Sequence, residues 1–424
     1  MNRRDFLRDT TASALTMAFG MVVEEIQAQQ PTGGASKTAG PPVPCAVIGL
    51  GPQGREIIGS LAKTGYTPCV AVCDTYSSPA WLKKATESAP GAKFYTDYRK
   101  LLEQKGVTAV FVATPSHRHR EIVLDALQAG KHVYCEAPLA TTIEDAQAIA
   151  KAGLAAKTVF QAGLQYRSNK QHNHVVKFIG DLKKCVGGQA QWHKRGTWLR
   201  GAPTEERQRE LNWRLYKETS PGLLGEIGIH QIDIVSWFLK SLPLSVSGSG
   251  ALMAWGKDGM QVPDTVQVVL EYPKNVRFYY DATLVSSFGG AYEMLMGDQL
   301  SILIRDQRAW MFKEADSSLL GWEVYAKKER FGIGDDTLGS GIAMVADATQ
   351  LIAQGKEPAK VGADVTKTAL YQSVTAFADA VRTNSKPRAG ALEGYQATVV
   401  ALKANEAVMT GKTITFEKAW FNLG

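Results

Sequence analysis

The sequence predicts an α/β protein with a doubly wound parallel sheet in front of a second α/β region. Three observations predict it. Short apolar runs of the buried-strand kind alternate with helical patterns from residue 43 to residue 163. A glycine-rich turn follows the first of these runs directly. The chain has 424 residues, too many for one ordinary domain, and strand-like runs crowd together again between residues 243 and 313.

The chain begins Met-Asn-Arg-Arg-Asp-Phe-Leu-Arg, with a mild apolar stretch from Thr10 to Val23 and a candidate cleavage position at Ala28. Charged, then apolar, then small is the order of a signal peptide. Arg3-Arg4 followed by Phe6-Leu7 fits the twin-arginine type. The apolar stretch is too short and too rich in Thr, Ala and Gly to remain as a bilayer span. Residues 1–28 are therefore read as a leader and 29–42, rich in Gly, Pro, Gln and Ser, as a flexible linker. The expectation is export to a periplasmic or extracellular location; the alternative is a basic start on a cytoplasmic protein. Because the twin-arginine route carries folded chains, a cofactor bound before export would travel inside and would need to be held tightly.

Val43–Ile48 reads as the first strand, Gly49-Leu50-Gly51-Pro52-Gln53-Gly54 as the turn, and Arg55–Lys63 as a helix. The first glycine allows the tight turn, the second lets a pyrophosphate approach the backbone, and the third allows close packing of helix on strand. The helix N-terminus adds N–H groups and a positive dipole. The next strand, Cys69–Cys73, ends at Asp74, 20 residues beyond Gly54. A carboxylate there accepts hydrogen bonds from a ribose 2′-OH and repels a 2′-phosphate, so NAD is expected rather than NADP.

The alternation continues. Val107–Val112 is a strand, Thr114-Pro115-Ser116 a turn, and His117–Ala129 a helix stopped by Gly130. Lys131–Cys135 is a strand followed by Glu136-Ala137-Pro138; a helix and the strand Val159–Ala162 complete the unit. Ligands of such sheets bind at the carboxyl ends of the strands, where Thr114, Pro115, Ser116, His119 and Glu136 fall. The domain limits are then 43–163 for this unit and 164–424 for the second.

These motifs resemble the Gfo/Idh/MocA oxidoreductases, the group of glucose–fructose oxidoreductase and inositol dehydrogenase. The resemblance rests on the glycine turn with Asp74, on Thr114-Pro115-Ser116-x-x-His119, on Glu136-Ala137-Pro138, and on Gly222-Leu-Leu-Gly-Glu226-Ile-Gly-Ile-His230-Gln-Ile-Asp233. It implies a Rossmann domain followed by an α/β domain with a large open, mostly antiparallel sheet, whose open face makes homodimers or homotetramers. Strand-like runs at Asp264–Tyr272, Val276–Val285 and Leu300–Arg305, then helical patterns at 366–383 and 391–410, fit that plan. Two positions depart from the family: Glu226 stands where its members usually have aspartate four residues before the histidine, and the second is in the strand-end motif. The family's usual motif there is Glu-Lys-Pro, with a lysine that aids the oxidation, and Ala137 stands in the lysine's place.

Read as one helix, residues 226–238 bring Glu226, His230, Asp233 and Trp237 within roughly 60° of one another. His230 is the expected base, since an imidazole ordinarily titrates near working pH. Glu226 or Asp233 would orient it. Tyr166 and Arg167 after the last strand of the first unit, with Lys194, Trp213 and Arg214, are candidate substrate contacts, because aromatic faces beside donors suit a sugar ring. The alternative for them is ordinary packing with extended cations.

The formal charge is +7, spread in short pairs such as Lys183-Lys184 and Lys194-Arg195. Such pairs describe a solvated face, and nucleic acid is not expected as a partner. Five cysteines at scattered spacings exclude a disulfide framework, and no metal site is expected from them. The function expected is NAD-dependent hydride transfer from a secondary alcohol carbon of a sugar, glycoside or related polyol. Two alternatives stay open: a redox-neutral, NAD-dependent glycosidase or lyase working through transient oxidation at C3, and a sugar-binding protein without catalysis. The missing lysine is what keeps both open.

Overall fold

In the computed structural model of the chain, residues 40–423 are described except 183, 306–307, 315, 318–319, 321–327, 334–335 and 345–367. Arg3, Arg4 and Ala28, with the linker up to residue 39, lie outside the described residues.

The front domain runs β1 (Cys45–Ile48), α1 (Pro52–Thr64), β2 (Cys69–Cys73), α2 (Pro79–Ala85), β3 (Lys93–Tyr95), α3 (Tyr98–Leu102), β4 (Ala109–Val112), α4 (His119–Gln128), β5 (His132–Cys135), α5 (Ile143–Ala155) and β6 (Phe160–Ala162). Its strands form one sheet in the order β3-β2-β1-β4-β5-β6. Every pair in it is parallel. The order reverses between β1 and β4, so a crevice opens beyond their carboxyl ends. The sequences Cys-Ala-Val-Ile and Ala-Val-Phe-Val are buried at every position, as strands covered on both faces must be. α1 begins three residues earlier than the sequence pattern predicts. Pro52 is preset for the first helical turn, and Gly65, left-handed at φ 77°, stops the helix.

The second domain runs α6 (Lys170–Val175), β7 (Cys185–His193), α7 (Glu205–Leu211), a π-helical turn (Leu224–Gly228), α8 (Ile229–Leu239), β8 (Ser245–Ala251), β9 (Thr265–Tyr272), β10 (Val276–Thr283), β11 (Ala291–Gly297), β12 (Leu300–Arg305), β13 (Arg308–Lys313), β14 (Lys328–Ile333), β15 (Asp336–Met344), α9 (Ala369–Thr383), α10 (Ala391–Thr410) and β16 (Ile414–Thr415). Ten strands form one sheet, β14-β15-β13-β12-β11-β7-β10-β9-β8-β16. Among the described residues only β7 and β10 pair in parallel. This is the second, mostly antiparallel sheet that the family resemblance implied.

One face of this sheet is covered and the other open. Along β10, Phe278 and Tyr280 are fully buried while Tyr279 between them is 51% exposed. Burying each of the two aromatic rings is worth roughly 2–3 kcal/mol. α10 ties the domains together. Val400, Ala404 and Val408 join the core under the ten-stranded sheet, whereas Tyr395, Ala397 and Ala401 join the core of the front domain. α9 returns to the front domain and packs Val374 and Phe377 among Leu61, Phe111 and Tyr134. No helix among the described residues is long and apolar enough to cross a membrane.

Candidate active site

The turn after β1 is shaped for a close ligand. Gly49 has φ 94°, and a Cβ there would lie 2.6 Å from the Ala113 carbonyl oxygen. A Cβ on Gly54 would collide with the Gly49 carbonyl. Gly51 differs: a Cβ there would meet nothing within 4 Å, and no side chain caps the helix that Gly51 begins. The start of α1 therefore offers unclaimed backbone donors and positive dipole beside open space. At the end of β2, Asp74 accepts from the Leu50 N–H (2.8 Å) and the Tyr76 N–H (2.9 Å). Two backbone donors fix this carboxylate next to the glycine turn. These residues fit a dinucleotide with its diphosphate at the turn and a ribose at Asp74.

The ends of β4 and β5 close the cradle. Thr114 Oγ1 is buried without a hydrogen-bond partner among the described residues. His119 is buried beneath it; its Nε2 meets the Thr114 carbonyl at 2.9 Å and its Nδ1 the Pro138 carbonyl at 3.0 Å. Burial pushes this imidazole down to about 4. His119 thus fixes the two turns to each other, both of its ring nitrogens being taken by backbone carbonyls. Gln53 Nε2 donates to Glu136 Oε1 (3.0 Å), so two expected cofactor contacts are already joined across the crevice mouth. Burial raises the Glu136 carboxyl to about 7, and the Gln53 and Ala137 donors hold it back.

The chain from Leu224 to Leu239 departs from the single helix expected. Leu224–Gly228 is a π-helical turn and α8 follows it. A Cβ on Gly225 would strike Pro221 at 2.2 Å, and one on Gly228 would meet the Tyr280 ring at 2.9 Å. The wide turn depends on both glycines, and across it the spacing of 100° per residue no longer holds. Glu226 is consequently turned toward the front domain. It accepts from Ser116 Oγ (3.2 Å) and from Arg214 Nε (2.8 Å). Burial pushes its carboxyl up, against the pull of Arg214.

Asp233 meets a different cation. Arg167 Nε and Nη2 each donate to one of its oxygens at 2.8 Å. The expected contact of Glu226 or Asp233 with His230 is thus not formed, because each carboxylate is taken by an arginine. His230 is partly exposed and lies edge-on to Tyr166, ring centres 6.1 Å apart. Its Nδ1 has no hydrogen-bond partner among the described residues. The expectation of an ordinary imidazole is corrected too: burial lowers His230 to about 4.

The candidate substrate contacts divide. Tyr166 borders His230, and burial pushes its phenol up. Arg214 stacks over Trp213 at 4.5 Å while bound to Glu226. Arg167 is committed to Asp233, and Lys194 is exposed at the end of β7. Sequence reasoning passed over His172 and Glu293. The His172 ring lies 4.9 Å from that of Tyr166, and its Nε2 is 3.9 Å from Glu293 Oε2. Glu293 in turn accepts from Gln231 Nε2 (2.8 Å). These residues come from α6, α8 and β11, and no local motif marks them.

Comparison with known proteins agrees with this architecture. Residues 43–164 match the profile described as oxidoreductase family, NAD-binding Rossmann fold, and residues 191–303 match the GFO/IDH/MocA C-terminal domain. The chain belongs to the Gfo/Idh/MocA oxidoreductase family, and its front domain is an NAD-binding Rossmann domain. It is 32% identical over 179 residues to 2,7-anhydro-N-acetylneuraminate hydratase of Escherichia coli, covering 41% of this chain and 45% of that one. It is 27% identical over 245 residues to inositol 2-dehydrogenase of Salmonella typhimurium, covering 55% of this chain and 68% of that one. The match to an uncharacterized oxidoreductase of Streptococcus pneumoniae spans 60% of that protein. Among solved structures, an oxidoreductase domain protein from Kribbella flavida superposes with TM-score 0.71 at 19% identity, over 89% of this chain and all of that one. Levoglucosan dehydrogenase in complex with NADH and L-sorbose gives 0.69 at 18%, over 88% and 99%.

Proposed function

We propose that this protein is an NAD-dependent oxidoreductase that takes hydride from a secondary alcohol carbon of a sugar, glycoside or related polyol. The observation that carries the reading is the Ser116–Glu226 hydrogen bond of 3.2 Å. It seats the segment bearing His230 on the carboxyl ends of the dinucleotide-binding strands. When bound, NAD supplies the hydride acceptor. Gly49, Gly51 and Gly54 would admit its diphosphate, Asp74 a ribose, and Thr114, Pro115, Ser116, Gln53 and Glu136 would line its path. His230, kept neutral at working pH by burial and with Nδ1 unpartnered among the described residues, is placed to accept the hydroxyl proton. Arg214, oriented by Glu226, and Trp213 offer a donor and an apolar face to the sugar.

A second reading is favoured by Ala137 and by the relatives named as hydratases. In it the hydride is returned after a glycosidic or anhydro bond is broken, with no net oxidation. Arg3-Arg4 supports export with NAD retained inside, and the open face of the ten-stranded sheet supports a homodimer or homotetramer.

The test incubates purified protein with a panel of polyols, sugars and aryl glycosides while recording bound-cofactor absorbance and released aglycone. Net NADH supports the first reading, and bond cleavage without net NADH the second. No response in either signal across the panel contradicts both.

A further inference from the structure

Arg207 reaches from the second domain to the dinucleotide turn. It lies on α7, capped by Thr204, whose Oγ1 accepts from the Arg207 N–H (3.4 Å). Its Nη1 donates to Thr75 Oγ1 (2.9 Å), its Nη2 stands 3.8 Å from Asp74 Oδ1, and its guanidinium sits 5.0 Å from the centre of the Tyr76 ring. Three consecutive residues at the end of β2 are thus held by one side chain from the other domain. The side chains of Arg207 and Asp74 are only 17% and 15% exposed, and Arg207 Nε is buried without a partner among the described residues.

The segment carrying Arg207 is itself stapled. Asn212 is fully buried. Its amide donates to the carbonyls of Arg200 (3.0 Å) and Gln208 (2.9 Å), and its Oδ1 accepts from the Arg200 N–H (2.7 Å). Gln208, Arg209 and Glu210 on the same helix are exposed, and Arg207 ties the helix to the front domain. Glu210, which also pairs with Arg207, stands on the solvent side of that tie.

We propose that residues 200–212 form a clasp over the adenosine end of the bound dinucleotide, with Arg207 as its latch. A ribose on the Asp74 carboxylate lies outside the carboxyl ends of the strands. Here that carboxylate lies under a guanidinium from another domain. Exchange of the dinucleotide then requires Arg207 to leave Asp74, Thr75 and Tyr76 together, and the latch slows release rather than adding to the chemistry. This inference is independent of which reaction the site performs.

The experiment needs no substrate. Protein loaded with NADH is mixed with a large excess of NAD, and release is followed by loss of bound-NADH fluorescence. Arg207→Ala is expected to release NADH at least about tenfold faster, with the cofactor-free protein melting as the parent does. Thr75→Val, which removes one hydrogen bond and no charge, is expected to give a smaller rise of about threefold. An unchanged release rate in folded Arg207→Ala overturns the proposal. If that variant does not fold, unchanged release in Thr75→Val overturns it.

Discussion

Replacing Asp233 with Asn tests whether that carboxylate serves the fold or the reaction. Its partner Arg167 is 14% exposed at the side chain and Asp233 4%, and the two hydrogen bonds are 2.8 Å each. Charge centres about 4 Å apart attract by roughly 4 kcal/mol at an effective dielectric of about 20. Removing one partner leaves a buried guanidinium unpaired, which costs about 3–5 kcal/mol. Glu393 also acts on Arg167, which places the expected loss for Asp233→Asn near the lower end, about 3 kcal/mol. That is a large share of the roughly 5–15 kcal/mol that stabilises a domain. Urea unfolding of the cofactor-free protein at neutral pH reads it directly. The double variant Arg167→Met with Asp233→Leu exchanges the pair for apolar side chains and is expected to return to within about 1 kcal/mol of the parent. Stability unchanged in Asp233→Asn, with turnover lost more than a hundredfold, would refute this reasoning and return Asp233 to the chemistry.

Three further outcomes are expected. Gly51→Ala should weaken NAD binding at least about tenfold by calorimetry and leave the melting temperature alone, since its Cβ enters open space; Gly49→Ala should lower both, because φ 94° and the Ala113 carbonyl oppose it. The Glu136 carboxyl holds its proton to about 7 in the folded chain against 4.5 ordinarily, so this group's own contribution to stability is lost as pH rises through that window, against the opposite trend from the depressed imidazoles of His119 and His230. The Glu136 share is at most roughly 3 kcal/mol; the stability of the cofactor-free parent minus that of Glu136→Gln should fall by up to that amount between about pH 4 and 8. His230→Ala should cut cofactor reduction by about 10²–10⁴-fold without a fall in unfolding midpoint, and a variant reducing its cofactor at the parent rate would remove His230 as the base.

Local pattern carried most of the fold. Cys69–Cys73, Leu300–Arg305 and Ala391–Thr410 occupy the ranges that their hydrophobic periods mark, because apolar alternation and terminal glycines are properties of adjacent residues. β7 was passed over because Gly187 and Gly188 interrupt its strand pattern. Both are demanded by neighbours distant in sequence: a Cβ on Gly188 would lie 2.5 Å from the Met294 carbonyl oxygen. The site was legible as a set of residues more than as a set of partnerships. Helical spacing places Glu226, His230 and Asp233 on one face, but the π-helical turn Leu224–Gly228 takes Glu226 out of register with the other two, which share the regular helix after it. Arginines at 214 and 167 then claim the two acids. The Arg207 contact with Thr75 spans 132 residues, and only the closed domain pair brings those positions together.

In the proposed reaction a secondary alcohol carbon of a polyol gives hydride to NAD while its hydroxyl, held near His230, gives that imidazole the proton. Its most direct measurement is a single turnover with a sugar or cyclitol deuterated at its secondary carbons, reading the mass of the nicotinamide cofactor released by denaturation. The account predicts deuterium in the cofactor with the parent protein and about a hundredfold less with His230→Ala in the same interval. A cofactor without deuterium throughout a panel that the protein demonstrably binds would contradict it.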